Sequence, residues 1–249
     1  MDIKETHEKL LELIIQFDKI CESHNIRYTL HGGSLLGAIR EHGFIPWDDD
    51  IDTAMLRTEF HKLEKALNDN SYFYIYGDIK KQFRKKDDDS VWIDIFICDY
   101  IGDSFDKQKK LLALTILDIM YKDKNSIKLV NFKKYSMLKR IAYKLVYYLG
   151  KIIPRKFKIY EYNRISEYKF LGNKKNMHRS NDQLTGRLKV FPVSWMENYI
   201  RVPFENTQLS AISSYNEMLC DCYGKNYMMP IRDTRNHTVH EFVRSDIKL

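Results

Sequence analysis

The residues with the clearest chemical potential lie in Trp47-Asp48-Asp49-Asp50-Ile51-Asp52, where four carboxylates fall within five positions. If the chain enters a β-strand near Asp50, side chains alternate between faces. Asp50 and Asp52 then point the same way, Asp48 can join them, and Ile51 points into the core. Two carboxylates side by side repel, and burying them unpaired is costly. A divalent cation resolves that conflict, and Mg2+ is commonly held by one or two carboxylates together with substrate phosphates. Asp94 extends the pattern, as the one carboxylate inside the apolar run Val91-Trp92-Ile93-Asp94-Ile95-Phe96-Ile97. The bland alternative for the Asp48–Asp50 run is a solvated acidic turn, since charge runs usually lie on the surface. That alternative is weaker for Asp52 at the head of a strand and for Asp94 within one.

Upstream, His31-Gly32-Gly33-Ser34 joins a short β-favouring stretch to a helix. Glycines let the backbone approach a phosphate, and a helix N-terminus offers free N–H groups and a positive dipole end to an anion. A Gly-Gly-Ser turn alone is weak evidence. Followed by a strand with Asp-x-Asp and a later strand with a third Asp, it is much more specific.

That order resembles the nucleotidyltransferase superfamily. More narrowly, HGGSLLGAIREHGFIPWDDDIDTAM resembles the signature of the LicD/fukutin family, and WIDIF resembles its next block. The stretch from Phe191 to Pro230 resembles its C-terminal block, in which Phe-Pro leads through Val-Pro to a helix ending in Tyr-Gly and then Met-Pro. The resemblance covers roughly the first hundred residues and the last sixty or so. Members of the family transfer phosphocholine from CDP-choline, or ribitol phosphate from CDP-ribitol, onto glycans.

The resemblance implies that Asp50, Asp52 and Asp94 hold Mg2+, with Mn2+ as an alternative, and that Asp48 ligates metal or acts on the acceptor as a base. It implies that Gly33 and Ser34 contact the donor diphosphate and that Arg40 is a phosphate ligand. Trp47, Arg232 and His237 are further candidate substrate contacts. The expected reaction is attack by a glycan hydroxyl on the alcohol-bearing phosphorus of a CDP-activated donor, with CMP leaving. If the alcohol is choline, aromatic rings should surround its ammonium. Trp47, Tyr72, Phe73, Tyr74 and Tyr76 are candidates, although most aromatics serve packing. The alternative reading is a nucleotidyltransferase that moves a nucleotide from a nucleoside triphosphate to a small molecule, an RNA or a protein.

The elements that must position these groups can be read from the same chain of 249 residues, 44% hydrophobic and 30% charged, which is a globular composition. Helical spacing marks Lys4–Ser23, Leu35–Glu41 behind a Ser34 cap, and a helix through about Leu67. Strands are expected at Arg27–His31, Ile51–Leu56, Tyr72–Tyr76 and Val91–Ile97. Lys80–Ser90 and Gly172–Thr185 read as polar loops, Arg187–Phe191 and Tyr199–Phe204 as extended, and Thr207–Tyr223 as a helix. The expected fold is α+β, a nucleotidyltransferase-like small mixed sheet flanked by helices and carrying a basic helical insertion. The expected division is a catalytic core over 1–103, the insertion over 104–183 and a C-terminal part over 184–249.

Charge is unevenly spread around a net of +7. Lys107–Lys189 holds 22 Lys and Arg against 5 Asp and Glu. Helices broken at Pro154 are expected there. Lys139, Arg140, Lys144 and Lys151 interleave with Ile141, Ala142, Leu145, Val146 and Leu149, a pattern suited to an anionic membrane surface or a lipid-linked glycan acceptor. It equally suits a helix packed on the core with its lysines in solvent. A nucleic-acid adaptor is the remaining class, but it gives no reason for the ordered carboxylates, so no nucleic acid is expected. Cys21, Cys98, Cys220 and Cys222 match neither a disulfide framework nor a zinc spacing. The N-terminal helix carries Glu and Lys among its apolar positions, unlike a signal peptide. A cytoplasmic protein, at most touching the inner face of the membrane, is the expectation.

Overall fold

The structure, a computed structural model, describes residues 2–102, 104–128, 130–168 and 175–230. It is an α+β fold of one curled mixed sheet, a separate hairpin and flanking helices. Helix α1 (Ile3–Ser23) is capped by Asp2, whose side chain accepts from the Glu5 N–H. It buries the Leu10, Leu13, Ile14 and Phe17 stripe. Strand β1 (Thr29–Leu30) leads into α2 (Gly32–Arg40), and β2 (Ile51–Leu56) leads into α3 (Arg57–Leu67). Strands β3 (Phe73–Tyr76), β4 (Lys81–Lys85) and β5 (Ile93–Ile101) follow.

The sheet runs in the order β1-β2-β5-β4-β3. Strands β2 and β5 are parallel and joined by the crossover through α3, β3 and β4, while β1–β2, β4–β5 and β3–β4 are antiparallel. The central pair reads as apolar runs because both of its faces are largely covered.

A helical layer follows: α4 (Ser104–Tyr121), α5 (Lys124–Lys128), α6 (Met137–Ile152) and α7 (Arg155–Glu167). Pro154 stands between α6 and α7 as the N-cap of α7. Helix α4 packs on α6 and α7, and both α4 and α7 meet β5. The amine of Lys110 on α4 is buried and ties three elements together. It donates to the Tyr100 carbonyl of β5 at 2.7 Å and the Ser166 carbonyl of α7 at 2.6 Å. The chain then returns to the sheet as β6 (Asn176–Arg179), which pairs with the C-terminal half of β5, followed by α8 (Leu184–Arg187) and β7 (Phe191–Pro192). Strands β8 (Tyr199–Phe204) and β9 (Thr207–Ile212) form the hairpin, and α9 (Tyr215–Tyr223) closes the described chain.

Several expectations are corrected. The polar stretch 80–90 contains β4, because Lys81-Gln82-Phe83-Arg84-Lys85 buries Phe83 while its polar neighbours stay half-exposed. The stretch 172–185 contains β6, whose Met177 and His178 are buried although only one of them is apolar. Thr207–Tyr223 is a strand and then a helix, since Leu209 and Ala211 alternate inward before Ser213-Ser214 resets the period. Arg187–Phe191 contributes the end of α8 and the start of β7.

The hairpin is sewn to the sheet by side chains. The Ser210 hydroxyl donates to the Tyr28 carbonyl at 2.6 Å, and the Ile212 N–H donates to the Thr29 hydroxyl at 3.0 Å. Buried Asp18 of α1 accepts from the Tyr28 hydroxyl at 2.6 Å and from both terminal nitrogens of Arg201 at 2.8 and 2.7 Å. This links α1, the residues leading into β1, and β8 through one carboxylate.

Phe83 anchors β4. It is fully buried, stacked on Phe73 at 5.1 Å and edge-on to Phe17 at 5.2 Å. Phe83→Ala should destabilise the protein by about 3–5 kcal/mol in chemical denaturation, the usual cost of emptying a buried aromatic site. A loss under about 1 kcal/mol would mean that β4 is not held by this cluster.

Candidate active site

The geometry begins with the register of two parallel strands. Asp52 of β2 lies directly beside Asp94 of β5. Neighbours in register share a sheet face, with strands about 4.8 Å apart. The row continues across the sheet, because Asp94 pairs with Gln82 of β4 and Gln82 with Tyr76 of β3. The Gln82 amide donates to Asp94 Oδ1 at 2.9 Å and so fixes that carboxylate. Its carbonyl oxygen accepts from Arg84 at 3.1 and 2.8 Å. The Arg84 guanidinium lies 4.6 Å from the ring centres of both Tyr76 and Trp92.

Helix α2 ends over this row. The His31 N–H donates to the Asp52 carbonyl at 2.9 Å, and the Ser34 hydroxyl accepts from the Asp52 N–H at 2.8 Å. The helix starts at Gly32 with His31 as N-cap, earlier than the expected Leu35. Ser34 is therefore buried in the first turn, where it positions the backbone of Asp52. Gly32 has φ of +56°, which favours glycine, and a Cβ there would lie 2.7 Å from Asp52 Oδ2. A Cβ on Gly33 would lie 2.2 Å from Asp48 Oδ2. The two glycines thus bring the carboxylates of Asp52 and Asp48 against the N-terminal turn of α2. Asp48 is buried, and its carbonyl is bound at 2.6 Å by His7 Nε2, whose ring stacks on Phe44. Trp47 is exposed beside it.

The other candidates lie elsewhere. Arg40 sits at the far end of α2, roughly 12 Å along the axis from its first residue. It pairs with Glu41 at 2.6 Å and donates to the Tyr227 carbonyl at 3.3 Å. Arg232 and His237 lie outside the described residues. Of the candidate aromatics, Phe73 serves packing, whereas Tyr72 and Tyr76 are exposed.

The electrostatics are those of crowded negative charge. Burial first, and then the charges of Asp50, Asp94, Asp48 and Asp182, push the Asp52 carboxyl well above the ordinary carboxylate range. Burial, followed by the charges of Cys222, Asp52, Asp48 and Asp50, raises the Tyr223 hydroxyl in the same way. The α9 helix packs on α2. His31 is pushed well below its ordinary value by burial and by Arg179 and Lys189. Its ring lies edge-on to Phe96 at 5.1 Å, and its buried Nδ1 has no hydrogen-bond partner among the described residues.

The donor set, several carboxylate oxygens brought close together, is chemically suited to a hard divalent cation. Among the described residues no group of three or more His, Cys, Asp or Glu is placed to hold a metal ion. Asp52 and Asp94 are the pair that could hold such an ion together with substrate phosphates.

Sequence reasoning missed Gln82, Arg84, Trp92 and Tyr223. The signal for the first two was the single apolar residue at the centre of Lys81–Lys85, which turns Gln82 and Arg84 to the face opposite Phe83. Tyr223 was visible only as the Tyr-Gly at a helix end.

The site thus combines a glycine-opened helix with a parallel strand pair bearing aligned aspartates. Residues 25–136 match the family described as LicD/FKTN/FKRP, nucleotidyltransferase domain. The lipopolysaccharide cholinephosphotransferase LicD of Haemophilus influenzae is 45% identical over 62 residues, 25% of this chain and 23% of that protein. An uncharacterised Caenorhabditis elegans protein is 47% identical over 58 residues, 23% of this chain and 14% of that one. An uncharacterised Rickettsia prowazekii protein is 35% identical over 65 residues, 26% of this chain and 20% of that one. The chain thus spans under a quarter of the length of each of these relatives.

The raised Asp52 carboxyl has a stability signature. A carboxyl that keeps its proton more tightly when folded costs stability as pH rises from the ordinary value of 3.8 through the raised one. In metal-free buffer, Asp52→Asn should melt with the unaltered protein at about pH 4 and above it by a growing margin toward about pH 8. Each kcal/mol is worth about 2–4 °C in a chain of this size. Equal melting temperatures at the higher pH would show that Asp52 is not under charge strain.

Proposed function

We propose that this chain is a metal-dependent transferase that moves a phospho-alcohol, phosphocholine in the first instance, from a CDP-activated donor to a hydroxyl of a cell-surface glycan. The observation that carries the reading is the in-register pair Asp52 and Asp94 facing the Gly32-Gly33-Ser34 turn. Its likeness to a cholinephosphotransferase supports the choice of alcohol.

Asp52 and Asp94, with Asp50 beside them, are the residues that would hold Mg2+, or Mn2+ in its place. An ion bound there would neutralise charge on the donor diphosphate. The first turn of α2 would offer its backbone N–H groups to the same diphosphate. Asp48, fixed by the Asp48–Ile45 turn and by His7, would take the proton of the attacking hydroxyl. A P–O bond then forms from the acceptor oxygen to the alcohol-bearing phosphorus, and the bond from that phosphorus to CMP breaks. Catalysis on this scheme is mainly positioning and charge stabilisation.

The acceptor would be a glycan or a lipid-linked glycan, and a cytoplasmic setting follows from the cytidine donor. Among the described residues no helix is long and apolar enough to cross a membrane.

The test is CMP release by the purified protein with Mg2+ and a glycan acceptor, over CDP-choline, CDP-ribitol, CDP-glycerol and CDP-ethanolamine. One donor, CDP-choline first, should support EDTA-sensitive release. Asp94→Ala should lower it by about two to three orders of magnitude, the scale of losing one preorganised charge contact. Diphosphate release from a nucleoside triphosphate, with every CDP-alcohol inert, would replace this reading by nucleotide transfer.

A further inference from the structure

Helix α6 is amphipathic in an unusual direction. Its inward face is Tyr147 and Gly150, both buried, with half-buried Tyr143 and Val146 beside them. Its outward face carries Leu138, Ile141, Leu145, Tyr148, Leu149 and Ile152, all exposed, with Leu138 at 80% and Ile152 at 82%. At 100° per residue these six fall within an arc of about 100°. A stripe of large apolar side chains facing away from the protein marks a surface that meets something.

Charge decides what that is. From Lys124 to Tyr160 the sequence has 11 Lys and Arg and no Asp or Glu. On α6 itself Arg140, Lys144 and Lys151 line one flank of the stripe. A second copy docking on the same patch would bring like charge against like charge. A polyanion would satisfy the lysines and leave the leucines in water. An anionic bilayer takes both, the apolar side chains among the acyl chains and the cations among the headgroups. With 16 residues α6 is about 24 Å long and can lie in the interface plane.

We propose that α6 docks this protein flat on an anionic membrane surface. The proposal stands independently of the transfer reaction. It turns the sequence's open choice between a core-packed helix and a surface-binding one toward the second, because the apolar side chains that would have packed on the core point outward.

The experiment is co-sedimentation of the full chain with vesicles of phosphatidylcholine alone and of phosphatidylcholine with phosphatidylglycerol. Binding should appear only with the anionic vesicles and weaken as salt rises. Ile141→Glu with Leu145→Glu should lower the partition coefficient at least tenfold, and Lys144→Glu with Lys151→Glu should do the same. Both pairs replace exposed side chains, so an unchanged melting temperature is expected and verifies folding. No anionic binding at low salt, or equal binding of the doubly substituted protein, would overturn the proposal. So would a dimer in light scattering that Ile141→Glu with Leu145→Glu converts to monomer, since the stripe would then be covered by a second copy.

Discussion

Everything around the site answers to one electrostatic constraint: two aspartates held side by side on neighbouring parallel strands. Parallel pairing gives Asp52 and Asp94 no freedom to turn away from each other, since residues in register share a face. Several surrounding groups hold these carboxylates in place. Gln82 binds one carboxylate, the Ser34 hydroxyl fixes the backbone behind the other, and the positive end of α2 lies against both Asp52 and Asp48. Arg57, Arg179 and Arg201 are each committed to another carboxylate, namely Asp99, Asp182 and Asp18.

The glycine pair makes that arrangement sterically possible. A side chain at position 32 would meet Asp52, and one at 33 would meet Asp48. The turn therefore does two things: it opens a helix toward an anion, and it makes room for the carboxylates that would bind the cation. On the proposed function, donor and cation would approach one point that the backbone sets before any ligand arrives.

Much of this was legible in the sequence, and what was not has physical reasons. Ile51–Leu56 and Ile93–Ile97 announced themselves as strands because central parallel strands are apolar on both faces. The carboxylates stood out as violations of that pattern. Strand β4 was illegible because one buried phenylalanine among four polar residues gives little periodic signal, although its partners on both sides demand a strand there. Strand β6 was hidden for a related reason, since it buries histidine and arginine through Asp182 and the Arg187 carbonyl and not through apolar side chains. The start of α2 was placed three residues late because Ser34 looked like a cap, whereas its hydroxyl reaches across to Asp52. The sequence shows which residues can bond. Only tertiary contact decides whether a serine closes its own helix or braces a neighbouring strand.

Strand β5 is shared between two assemblies along a single edge. Its first residues pair with β4 and carry Asp94, and its last residues pair with β6 and accept Lys110 from the helical layer. From Asp94 to Tyr100 is six residues of extended chain, about 20 Å. An extended strand hydrogen-bonded on both sides barely stretches, so it works as a spacer bar. Whatever the helical layer rests on, the carboxylates are held at one standoff from it. On the proposed function, an acceptor hydroxyl would then be selected by reach as well as by chemistry.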